Sequence, residues 1–254
     1  MFASLYAHRL GRAYGPDSSL AALRGSLSGP LDGLETDVCL TADGDLALLH
    51  DPLLTLNTTL EGWAHERTLT EIQRSRIRDA KGAPTEESPV SLDELLERVP
   101  ADVIVQLEVK SHADRDLARR TAEAACEKLR GEPRSRFELI SFHGDACALA
   151  AARGFRSRLV VWADYAPEAL AAWAVRHGVG GVSIEHFLLA EPLVKVMRLA
   201  GLSVNTGTIN HPELLARVLE LGPDAVCTDR PHELRREAAP LLGAESERRV
   251  ALAV

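Results

Sequence analysis

Aromatic residues make up only 4% of the 254 positions, and positive charge is outnumbered, with 29 Lys and Arg against 37 Asp and Glu. A chain with neither a cationic surplus nor many stacking rings has little with which to grip a phosphate backbone, which argues against nucleic acid as a partner. No uninterrupted apolar run reaches the roughly 18 residues that a membrane-spanning helix needs. The opening stretch MFASLYAHRLGRAYG lacks the charged-then-apolar pattern of a secretory leader. Cysteine is scarce too. Cys39, Cys126, Cys147 and Cys227 show no CxxC spacing, and a chain of this length needs no covalent staples. Free, buried thiols in a reducing cytoplasm are the expectation.

What the sequence does have is alternation. Strands are predicted at Leu5–His8, Leu34–Leu40, Leu46–His50 and Val103–Val109. Helices are predicted at Ser18–Leu27, with Asp17 or Ser18 as cap, at Ser91–Val99 and at Arg115–Arg130. From Phe137 onward five short strands are each followed by a helix, the last over His232–Leu242. Strands separated by helices pair in parallel, and eight such units in about 250 residues have the size of a (β/α)8 TIM barrel. A doubly wound open sheet is the second choice. Thr55–Ser88 is too polar to build its own core and reads as an inserted loop after the second strand. Gly243–Val254 reads as a peripheral tail of what is otherwise a single domain.

Two strands carry acid where a buried strand is usually apolar. Strand residues alternate faces, so Val103, Val105, Leu107 and Val109 oppose Ile104, Gln106, Glu108 and Lys110. In Gly33–Leu40 the same split sets Leu34, Thr36, Val38 and Leu40 against Gly33, Glu35, Asp37 and Cys39. The acids gather toward the C-terminal strand ends, where barrel enzymes build their sites. Glu35, Asp37 and Glu108 aimed at one point repel one another unless a cation lies between them, and oxygen-only ligands suit Mg2+ or Ca2+. Lys110, on the same face, either neutralises part of the cluster or holds an anionic substrate.

Between the two β-like runs lies an Asp43-Gly44 pair, a strong signal for a two-residue hairpin turn. Such a turn sets His50 directly opposite Asp37. His8, at the end of the first strand, reaches the same rim. Two histidines and three carboxylates therefore converge.

These residues resemble the glycerophosphodiester phosphodiesterases, a family of TIM barrels. AHRLGRAYGPDSSLAAL is similar to the family's opening His-Arg motif and the helix start behind it. LETDVCLTADGDLALLHDP resembles its Glu-x-Asp strand, Asp-Gly turn and His-Asp-Pro, and SPVSLDELL and LEVK its next helix and Glu-x-Lys strand. ISFH and GPDAVCTDRP resemble its later strand ends, so the motifs run from Ala7 to Pro231 in the family's order. The resemblance implies that Glu35, Asp37 and Glu108 bind one divalent cation, Mg2+ or Ca2+, and that His8 and His50 form an acid–base pair. It also implies that Arg9 and Lys110 contact phosphate, and that the reaction releases an alcohol and glycerol phosphate from a small glycerophosphodiester. Three positions depart from the pattern. Leu10 replaces a Gly, Asp17-Ser18-Ser19 replaces Glu-Asn-Thr, and Gly207 stands where a Trp lines the pocket. A phospholipase D-like lyase forming a cyclic phosphate and a catalytically silent binding barrel are the rival readings, with an isomerase on the same fold as a more distant analogy.

Overall fold

A computed structural model describes residues 3–240, so the expected tail at Gly243–Val254 lies outside the described residues. The strands are β1 (Ser4–Ala7), β2 (Gly33–Leu40), β3 (Leu46–Leu48), β4 (Ile104–Val109), β5 (Phe137–Ser141), β6 (Arg156–Val161), β7 (Gly181–Glu185), β8 (Ser203–Gly207) and β9 (Ala225–Thr228). All except β3 run parallel, each beside the next, and β1 pairs with both β2 and β9. That double pairing closes an eight-stranded barrel, and the open sheet is excluded.

The helices are α1 (Leu20–Ser26), α2 (Leu54–Asn57), α3 (Leu69–Gln73), α4 (Leu92–Leu96), α5 (Arg115–Lys128), α6 (Gly144–Ala152), α7 (Pro167–His177), α8 (Glu191–Leu199) and α9 (Pro212–Leu221). A further helical stretch occupies 231–240. Local chemistry sets many ends. Ser91 and Glu94 form a reciprocal capping box at α4, and prolines open α7, α8 and α9, where a missing N–H costs nothing. The cap of α1 is Ser19, whose side chain accepts from the Ala22 amide, and not Asp17 or Ser18. Ser18 instead takes a left-handed backbone (φ 55°) and its buried hydroxyl meets Thr36, which frees Asp17 for other work.

The predicted division of strand faces holds. Leu34, Val38, Val105, Leu107 and Val109 pack outward against buried helix residues such as Leu95, Leu117 and Ala122. On the far side of the barrel Val182, Val204 and Val226 meet Leu193, Met197 and Leu215. The barrel's interior is polar. Glu138 is wholly buried there, taking hydrogen bonds from Gln106 Nε2 (2.9 Å) and Arg158 Nη2 (3.0 Å). A buried carboxylate is tolerable because each of these partners is itself charged or hydrogen-bonding.

The segment after the hairpin has more order than a loop. It carries α2 and α3 and short antiparallel bridges at Thr58–Ile77 and Arg78–Pro84. It has no independent core. Its Leu54, Ala64 and Ile72 pack with Cys39, Ala47 and Leu49 of the hairpin into one small buried cluster beside the barrel mouth.

Candidate active site

β2 and β4 are direct neighbours in register, with Asp37 beside Glu108 and Glu35 two residues lower on the same face. One carboxylate oxygen from each of Glu35, Asp37 and Glu108 lies within 4.8 Å of the other two. Lys110 closes the group from above. Its Nζ is 2.9 Å from Asp37 Oδ1 and also bonds Glu108 Oε1.

β1 ends at Ala7, level with Leu34, so His8 begins the next turn rather than ending the strand. Arg9, Leu10 and Gly11 then take three consecutive left-handed conformations (φ 48°, 63° and 99°). This coil points the Arg9 amide at Glu35 Oε2 (2.9 Å). The Arg9 guanidinium bonds Asp17 Oδ2 (2.6 Å) and stands 3.7 Å from Asp37 Oδ2. Asp17 also holds Arg12 Nε at 2.7 Å.

The hairpin turn is longer than a two-residue loop. Thr41 and Asp45 close it through Thr41 N to Asp45 O (2.9 Å), and the ladder pairs Leu40 with Leu46 and Val38 with Leu48. The register is therefore displaced by one residue, and Leu49, not His50, faces Asp37, its amide 3.2 Å from the Asp37 carbonyl. His50 still enters the site because the ladder stops at Leu48 and the chain turns inward beyond it. All seven expected residues, His8, Arg9, Glu35, Asp37, His50, Glu108 and Lys110, line one cavity of about 220 Å³ at the C-terminal mouth.

Each histidine has a carboxylate on Nδ1, and the sequence reading assigned neither. Asp229 Oδ1 lies 2.7 Å from His8 Nδ1, while Asp229 Oδ2 accepts from Asn210 Nδ2 at 2.7 Å. Asp51 Oδ2 lies 3.0 Å from His50 Nδ1. The signal was present in the TDRP and HDP segments, but only the fold sets Asp229 beside His8, across 221 positions of chain.

Burial and the neighbouring Asp37 and Glu108 charges push the Glu35 carboxyl well above the usual carboxylate range. Burial also raises Glu108, against the pull of Lys110. Asp37 is held low despite burial, because Lys110, His50 and Arg9 favour its charged form. Asp51 is lowered by its bond with His50. Asp229 stays low because bonds from His8 and Asn210 outweigh its burial. Asp37 Oδ2 is buried with no hydrogen-bond donor among the described residues. An all-oxygen trio with two members pushed toward protonation and one oxygen unsatisfied fits a hard divalent cation.

Two departures from the family pattern resolve differently. Leu10 adopts the left-handed turn a Gly would take, and its fully buried side chain joins the core. At Gly207 a Cβ would sit 2.7 Å from Cys227 Cβ, so β8 runs too close to β9 for any side chain there. Cys227, the one cysteine of intermediate burial, lines that side of the cavity beside Gly207.

Residues 8–233 match the Glycerophosphoryl diester phosphodiesterase family. The chain belongs to this family. It is therefore a phosphoric diester hydrolase on a TIM barrel. A glycerophosphodiester phosphodiesterase of Caldanaerobacter subterraneus subsp. tengcongensis is 25% identical over 239 residues, covering 90% of this chain and 94% of its own. Among solved structures, an Oleispira antarctica phosphodiesterase in complex with the product sn-glycerol-3-phosphate is 25% identical, with a TM-score of 0.82 over 92% of this chain and 96% of that one. A glycerophosphodiester phosphodiesterase from Parabacteroides distasonis ATCC 8503 superposes with a TM-score of 0.76 at 24% identity, over 96% and 98% of the two chains. Among the described residues no helix is long and apolar enough to cross a membrane.

Proposed function

We propose that this family member hydrolyses small glycerophosphodiesters to an alcohol and glycerol phosphate with one divalent cation, Mg2+ or Ca2+. The observation that carries the reading is the convergence of three carboxylates, two histidines and two cationic side chains on one small cavity. Glu35, Asp37 and Glu108 would hold the cation, which when bound draws charge from the non-bridging oxygens at phosphorus. Arg9 and Lys110 orient the same phosphate and offset its charge.

His8 and His50 move the protons. An ionised carboxylate can only accept, so each keeps a proton on Nδ1 and leaves Nε2 for the substrate. The low-lying Asp229 and Asp51 carboxylates stabilise the imidazolium each histidine becomes in turn. His50 lines a second, outer cleft as well as the inner cavity, whereas His8 lines only the inner one. An alcohol departing outward therefore leaves past His50, which protonates its oxygen, while His8 takes the proton of the attacking hydroxyl or water.

Hydrolysis of glycerophosphoglycerol followed by 31P NMR tests this. A chelator should abolish turnover, Mg2+ or Ca2+ should restore it, and linear glycerol phosphate should be the end product. Full activity after metal removal overturns the ligand assignment. A cyclic phosphate that persists as the end product selects the lyase reading instead.

A further inference from the structure

The outer cleft, about 850 Å³, is nearly four times the volume of the inner cavity, and Arg9 and His50 form the boundary they share. Its far wall comes from the inserted segment, through Leu56, Ile77, Arg78 and Asp79. The near wall comes from the turn after β1 and the segment after β9, through Arg12 and Arg230. Four arginines and three aspartates line it in all.

The donors and acceptors of these groups do not balance. Asp17 spends one oxygen on Arg9 and the other on Arg12. Asp229 spends one on His8 and the other on Asn210. Asp79 Oδ1 accepts from the backbone amides of Lys81 and Ala83, both at 2.9 Å. A guanidinium has five N–H donors, and here many remain. Arg12 uses only Nε. Arg78 uses Nε and Nη1, both on neutral carbonyls, of Thr58 and Gly82 at 2.8 Å, and it has no carboxylate within salt-bridge distance among the described residues. Arg230 uses Nε and Nη2, leaving Nη1. The cleft therefore offers spare guanidinium donors both from the inserted segment and from the segments after β1 and β9, with Asp79 Oδ2 as the single aspartate oxygen of its lining not engaged by a donor among the described residues.

We infer that the outer cleft is a subsite for the departing alcohol, and that it selects alcohols bearing a negative charge of their own, such as a phosphorylated polyol. Resting on the phosphodiesterase reading above, this inference names the substrate class of that reaction. Planar guanidinium forks match phosphate oxygens two at a time, which a choline or ethanolamine cation cannot use. Leu56, more than half exposed, and the buried Ile77 give the same wall an apolar surface for the carbon face of a ring.

A matched substrate pair tests the inference, glycerophosphoinositol and glycerophosphoinositol 4-phosphate, with glycerophosphocholine as the cationic comparison. The phosphorylated substrate should show a kcat/KM at least about tenfold above its unphosphorylated partner, the effect of one good charge-assisted contact. The excess should shrink as salt rises and fall several-fold in Arg78→Gln. Arg78 also ties Thr58 to Gly82, so the salt series on the unaltered enzyme decides if that variant fails to fold. Equal rates for the pair, a preference for choline, or an excess insensitive to salt overturns the subsite and leaves the phosphodiesterase reading standing. If no diester is cleaved, that reading fails. Calorimetry then still judges the cleft, since inositol 1,4-bisphosphate should bind at least about tenfold more tightly than inositol 1-phosphate, and equal binding overturns it.

Discussion

Leu10 holds a backbone conformation that an L side chain adopts at a cost of roughly 1–2 kcal/mol, yet its side chain is among the largest that are fully buried. Two effects oppose each other at this position. Leu10→Gly relieves the strain but empties a packed site, and a buried Leu removed from a core costs about 2–5 kcal/mol. Packing wins on these magnitudes, so Leu10→Gly should lower stability by on the order of 1–3 kcal/mol in chemical denaturation. An unchanged midpoint would mean that the strain relieved cancels the packing lost. The histidines allow a sharper comparison. A departing nitrophenolate needs no proton, so with a p-nitrophenyl ester of glycerol phosphate the kcat penalty of His50→Ala should shrink far below the roughly 10²–10⁴-fold typical of a lost general acid. The penalty of His8→Ala should persist with both leaving groups. Equal behaviour of the two variants would remove the assignment, and the opposite pattern would reverse it.

The site is built by two parallel neighbours and a hairpin. β2 and β4 align Asp37 with Glu108, and the polar interior below them seats Gln106 against Glu138. The Glu108 carboxyl is raised by burial even with Lys110 bonded to it, so its ionised form is a burden to the fold until a cation offsets it. Glu108→Gln should therefore change two readouts in opposite directions. Metal affinity should fall by at least about tenfold, or 1.4 kcal/mol, in a titration with Mn2+ or Ca2+, because a charged ligand is lost. Metal-free stability at neutral pH should hold or rise, because one of three crowded charges is gone. A drop in both would show that the Lys110 pair, not the metal, is the carboxylate's main partner.

Protons and metal compete across the whole protein's stability. Glu35 and Glu108 have folded pKa values above their unfolded ones, so the folded protein holds protons that the unfolded chain has released. Metal-free stability thus falls as pH rises from the ordinary carboxylate range through the raised values. Asp37, Asp51 and Asp229, held low, act oppositely, and their contribution is lost as pH falls through their depressed values. A cation held as proposed would bind the ionised trio, so its stabilising effect should grow with pH through the first window. At a metal concentration about 100 times Kd the gain is about 2.7 kcal/mol, or roughly 5–11 °C in Tm for a chain of this size. Calorimetry at about pH 5 and pH 8 should show the larger metal-induced Tm increment at the higher pH. An increment larger at pH 5 would place the cation elsewhere.

Periodicity and turn chemistry alone specified parallel strands alternating with helices and favoured a barrel, because hydrophobic faces are local properties, while only the pairing of β1 with β9 excluded the open sheet. They also specified which face carries acid, since side-chain alternation follows from the pleat. The family motifs added Arg9 and the pairing of roles. The hairpin register was not local. Thr41 and Asp45 close a longer turn than Asp43-Gly44 suggests, and one residue of slip moves a side chain to the other face, so His50 owes its place to the turn inward beyond β3. The partner of His8 was equally out of reach. Asp229 meets His8 only because the last strand pairs with the first, and Arg12, Arg78 and Arg230 share a cleft only because the inserted segment docks on the hairpin. Barrel closure brings together residues two hundred positions apart, and nothing in the spacing of the chain encodes that distance.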